Sequence, residues 1–105
     1  MDDLSRILFA VAPPLRELCD RHIQYYGEFL STIFLAEVAR WCVDDGIEQD
    51  LVLDVVDALL VAGSPEVINL LLTGFVEGVP TAVGDSFIAR LPARLRAAVI
   101  ADLGR

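Results

Sequence analysis

Apolar residues recur every three to four positions along this chain, and no segment alternates apolar with polar residues for the length of a strand. That periodicity limits the fold more than any other feature, because a chain written in the helical period has only helices with which to build a core. Leu4, Ile7, Leu8 and Val11 keep the i, i+3, i+4, i+7 spacing behind Asp2 and Asp3, whose charges suit a helix N-terminus, until Pro13-Pro14 stops the run. Pro14 opens a second helix with Leu15, Leu18, Cys19, His22 and Tyr26 on one side, and Gly27 marks its end.

From Glu28 to Val43 apolar residues surround the helix, the pattern of a central one, and Asp44-Asp45-Gly46 ends it. Asp50 to Ala62 reads as the next helix, with Asp50, Asp54 and Asp57 at i, i+4, i+7 on one exposed strip. Gly63-Ser64-Pro65-Glu66 then combines a C-terminal Gly, an N-cap Ser, a first-turn Pro and an early acid, so two helices meet in a tight corner. The helix beyond it turns Ile68, Leu71, Leu72 and Phe75 inward and Glu66, Asn69, Thr73 and Glu77 outward. Gly78, Pro80 and Gly84 form a loop, a brief helix runs through Arg90, and Pro92 opens a last one with Leu95, Val99 and Leu103 inward. The expectation is an all-α fold: one domain over residues 1–105, a compact bundle of five to six helices in HEAT-like antiparallel pairs, although no sequence repeat marks a stack.

A chain of 105 residues with 55% hydrophobic content fills one core and no second. Its net charge is -8, and all 8 basic residues are Arg, so its field repels phosphate backbones and anionic lipid. Direct nucleic-acid and membrane partners are therefore not expected. The apolar stretches are broken by Glu37 and Arg40 or by Asp54 and Asp57, too soon for a spanning helix. Met1-Asp2-Asp3 is unlike the basic start of a secretory signal, and the chain reads as cytoplasmic. Cys19 and Cys42 fall on apolar helix positions and read as buried thiols.

No catalytic signature is present. His22 is the single imidazole, so a two-His metal site is ruled out and a nucleophilic triad would depend on this one residue, which lies on an apolar stripe. Gly74, Gly78 and Gly84 lack the spacing, Lys and preceding strand of a phosphate loop. Asp44, Asp45, Glu48 and Asp50 match a cation loop only in composition. The chain is expected to be no enzyme and to hold no cofactor or metal. Trp41 reads as core, whereas Tyr25 and Tyr26 read as exposed anchors for a partner.

Charge placement is more telling. Residues 37 to 85 hold ten acids against Arg40 alone, a local net of -9, whereas residues 86 to 105 carry Arg90, Arg94, Arg96 and Arg105 against Asp102, a net of +3. One reading of the acidic middle is a solvated face; the other is a docking surface for a basic protein, since stacked like charges on a helix cost stability and call for a compensating gain. On the exposed-strip reading, reversing Asp50, Asp54 and Asp57 to Lys leaves the fold intact and removes binding.

The segments from Leu35 to Trp41 and from Glu66 to Glu77, with their Ala-Arg-Trp and Asn-Leu-Leu followed by Phe-x-Glu, resemble a family of small all-helical bacterial proteins, some encoded beside polymorphic secreted toxins. The resemblance spans about residues 25 to 103 and implies a HEAT-like fold and an immunity role; it brings no catalytic residues. Together with the charge pattern it leads to an expected function: an immunity protein that blocks the active site of a cognate toxin domain with a basic surface. The toxin would act on nucleic acid or nucleotides, and Asp44, Asp45, Glu48, Asp50, Asp54 and Asp57, with Tyr25 and Tyr26, would bind it. The alternative is a helical adaptor or a homodimer.

Overall fold

The computed structural model describes residues 3–104. Among these, all regular structure is helical: α1 (Asp3–Val11), α2 (Pro14–Tyr26), α3 (Ser31–Trp41), α4 (Ile47–Ala62), α5 (Pro65–Leu70), a π-helical segment π1 (Leu71–Val76) continuous with α5, α6 (Asp85–Arg90) and α7 (Ala93–Leu103). Seven α-helices stand among the described residues where a bundle of five to six was expected, with the brief helix through Arg90 an element of its own. The expected N-terminal charge of Asp2 and the C-terminal charge of Arg105 lie outside the described residues.

The strongest local signals act as their chemistry requires. Gly27 ends α2 at φ 77°, a conformation costly for any residue with a Cβ, and its N–H donates to the Ile23 carbonyl at 2.8 Å. Ser64 caps α5 by accepting the Val67 N–H at 3.2 Å, with Pro65 at the first helical position. Helix α3 starts at Ser31 rather than Glu28: Leu30 is extended at φ -110° and ψ 98°, outside helical geometry, and its N–H donates to the His22 Nε2 at 3.0 Å.

The π1 segment corrects the inward face read from the sequence. Leu72 is exposed, whereas Gly74, Phe75 and Val76 are buried. A π turn holds more residues than an α turn, so it rotates the following positions out of the 3.6-residue register. The helix then runs on through Gly78, where a loop was expected. Both glycines press against α3: a Cβ on Gly74 would sit 2.9 Å from the Leu35 Cβ, and one on Gly78 would sit 2.7 Å from the Ala36 Cβ. The missing side chains let the two backbones approach, and α3 packs on π1 more extensively than any other pair of elements.

Phe34, Phe75, Leu8, Leu15, Leu53, Leu71, Leu91 and Leu95 fill the core, each contributing about 1.5–3 kcal/mol by leaving water. Helix α4 lies against α1, α5 and α7, while α2 closes on α1 and α3. Two expectations shift at the edges. Trp41 is half-buried, packed against the core rather than within it, and α3 keeps Thr32, Ile33 and Arg40 exposed, so it is not enclosed all round. The Cα radius of gyration is 12.8 Å, close to the ~13 Å of a typical 100-residue domain.

Both thiols are free and buried. Desolvation pushes the Cys42 thiol up to about 12, outweighing the lowering by the nearby Arg90 guanidinium. Burial also raises Cys19, and the negative charges of Asp20 and Glu37 add to that rise. Among the described residues, no helix is long and apolar enough to cross a membrane.

Candidate protein-binding surface

The acids of the middle segment divide into three groups. At the corner between α3 and α4, Arg90 from the end of α6 reaches across the chain and organises Asp44, Asp45 and Asp50. Its guanidinium donates to the carbonyls of Val43 at 3.1 Å, Asp44 at 3.3 Å and Cys42 at 3.4 Å, and to the Asp50 Oδ1 at 2.9 Å. A further ion pair joins it to Asp45 at 3.2 Å, although that carboxylate stays 90% exposed. These carbonyls belong to the end of α3 and the turn beyond it, where helical geometry leaves acceptors unpaired, and a planar five-donor side chain suits them. The cation held among these acids is therefore an arginine of the same chain. No three His, Cys, Asp or Glu side chains among the described residues gather to hold a metal ion.

Asp57 has a different task. Its Oδ1 accepts the Arg94 N–H at 2.8 Å and the Leu95 N–H at 2.9 Å, so a side chain from α4 caps the first turn of α7. It is half-buried, which corrects its place on an exposed strip. Asp50 shares the correction in part: its side chain is 60% exposed but engaged by Arg90. Reversing all three aspartates to Lys would thus break a helix cap and place a cation beside Arg90, and the fold would not be spared.

Asp54 alone of the three points outward without an ion-pair or hydrogen-bond partner among the described residues. Around it the exposed face of α4 is apolar, made by Ile47, Leu51, Ala58, Val61 and Ala62. Ile47 is 82% exposed. The spacing 47, 51, 54, 58, 61 sets these positions on one helix face, with Asp54 as the acid within it. Glu48 sits half-buried at the start of α4.

Tyr25 and Tyr26 end α2 in edge-to-face contact, with ring centroids 4.8 Å apart. Tyr25 is 82% exposed and Tyr26 is 41% exposed, as an anchor for a partner requires. Behind Tyr26, at 4.8 Å between centroids, lies His22, buried at the junction of α2 and α3. Its Nε2 accepts the Leu30 N–H at 3.0 Å, which places the proton on Nδ1, and Nδ1–H donates to the Glu37 carboxylate. The imidazole therefore ties the loop after α2 to the first turns of α3, with Phe29 and Phe34 against its ring.

One open groove of about 540 Å³ runs beside α3 and π1, with Thr32, Ile33, Arg40, Thr73, Glu77 and Thr81 in its walls. It is shallow and mixed in character, with no buried polar group aimed into it among the described residues. Nothing in the linear pattern marks it, since Gly74 and Gly78 meet α3 only in the folded chain. Comparison with protein-family models, with curated proteins and with solved structures yields no match.

Proposed function

We propose that the protein is a cytoplasmic bacterial immunity protein, which protects its cell by binding a cognate toxin domain and occluding a basic active site. The observation that supports this most is the acidic corner itself. Asp44 and Asp45 project from a turn whose backbone carbonyls are gripped by Arg90, with Glu48 close behind in α4. A rigid display of carboxylates costs little ordering on association, and it suits a groove that holds phosphate with cations. The target on this reading acts on nucleic acid or nucleotides, and Tyr25 and Tyr26 add apolar anchors at the edge of the surface. The HEAT-like pairing belongs to the same proposal, supported by the packing of α3 along π1 and of α4 along α7. A catalytic role has no support in the site, because the imidazole is committed to the fold at both nitrogens. The adaptor reading draws on the apolar face of α4 and predicts binding that salt hardly changes.

On this reading the gene immediately upstream encodes a large secreted protein, and the test is co-expression with the C-terminal domain of that protein. The parent chain should restore growth, and the variant D44N/D45N/E48Q, which removes the charges without placing a cation beside Arg90, should lose protection while its far-UV circular dichroism stays helical. Its association with the purified domain should slow most at low salt, where steering is strongest. A toxin-free neighbourhood, or full protection by the triple variant, would overturn the proposal.

A further inference from the structure

The outward face of α4 presents a problem of partner choice that its charges resolve. Ile47, Leu51, Ala58 and Val61 form a straight exposed stripe over 14 residue steps, about 21 Å of helix, on the longest helix of the fold. Asp54 stands at its midpoint, seven residues from Ile47 and seven from Val61. The carboxylates on either side are already engaged, Asp50 by Arg90 and Asp57 by the α7 backbone, so of these three Asp54 is the carboxylate without a partner among the described residues, and a covering partner must answer it.

A second copy of this chain does not answer it. Two α4 helices related by a two-fold axis and overlapping along the whole stripe place Asp54 opposite Asp54, whether they run parallel or antiparallel about its centre. Either arrangement would desolvate two like charges in an apolar contact. A straight stripe with i, i+4, i+7 spacing matches the ridges of another helix. We infer that this face docks an amphipathic helix of a different protein, one that carries a single Lys or Arg within its apolar stripe, set against Asp54. The inference rests on the binding-protein reading above and names the partner chemistry of the surface beside the acidic corner.

The experiment uses two labelled synthetic 18-residue helical peptides with Leu at the matching stripe positions, identical except for Lys or Glu at the central one. Fluorescence anisotropy with the full chain should give at least about tenfold tighter binding for the Lys peptide, and Asp54→Lys should reverse the order. The exposed double variant I47S/L51S should lose both peptides. In sedimentation velocity the parent should be a monomer, and Asp54→Leu, which removes the like-charge barrier, should dimerise. Asp54→Gln serves as the milder variant and should erase the preference without reversing it. Equal binding of the two peptides, no binding of either, or a parent dimer broken by I47S/L51S would overturn the inference. Growth protection that survives while the peptides show no preference overturns this assignment alone. A clear peptide preference without any protection overturns the immunity reading alone.

Discussion

Replacing Asp57 by Ala tests how differently the structure uses three aspartates that look alike in sequence. In α4, Asp57 supplies both the Arg94 N–H and the Leu95 N–H with a charged acceptor, at 2.8 and 2.9 Å. Losing an N-cap of this kind costs about 1 kcal/mol. The Leu95 amide adds to that, because its residue is fully buried and its N–H would be left without a partner, at about 1–2 kcal/mol more. The total, about 2–3 kcal/mol, corresponds to a fall in melting temperature of roughly 8–20 °C for a domain of this size. Asp54→Ala is the internal control: it removes an exposed carboxylate with no partner and should change stability by less than about 0.5 kcal/mol. Thermal and urea melts followed by far-UV circular dichroism would measure both. Equal stabilities for the two variants would show that the α7 cap contributes nothing and would refute the division of the acidic strip.

Gly78→Ala should destabilise by about 1–3 kcal/mol despite the better helix propensity of Ala, since the new methyl meets the Ala36 Cβ at 2.7 Å; a urea melt checks the sign. His22→Ala should cost about 2–4 kcal/mol by opening a cavity and leaving the Leu30 N–H unpaired, with protection in the co-expression assay retained wherever the variant is folded. Burial raises the Cys42 thiol from its ordinary value near 9.0 to about 12, so the folded state holds its proton where the unfolded chain has lost it. The resulting contribution is fully present below pH 9 and is lost as pH rises towards 12, amounting to about 4 kcal/mol. Cys42→Ala should therefore flatten the alkaline fall in stability, as equilibrium melts from pH 8 to 11 would show. Neither thiol should react with a thiol reagent before unfolding, because both side chains are buried.

Local chemistry settled much of this molecule in advance. The all-helical class follows from a period that no strand can use, and the ends at Gly27 and Ser64 follow from a left-handed φ and a side-chain cap that act within a few residues of chain. Cys19 and Cys42 were legible as buried because a small apolar group on an inward stripe has nowhere else to go. What the sequence alone left open depends on residues distant in the chain. Asp54 and Asp57 are the same residue type on one helix, and only the arrival of α7 at one edge of α4 makes one a cap and leaves the other facing water. Arg90 reads as part of a basic C-terminal segment, yet it closes the acidic corner 40 residues away from Asp50. The π turn at Leu71–Val76 likewise shifts Leu72 outward where periodicity points it in, next to the close approach of Gly74 and Gly78 to α3. Periodicity and caps are short-range, so they can be read along the chain. Charge pairing, helix capping across elements and backbone approach are long-range, so they are decided only when the helices meet.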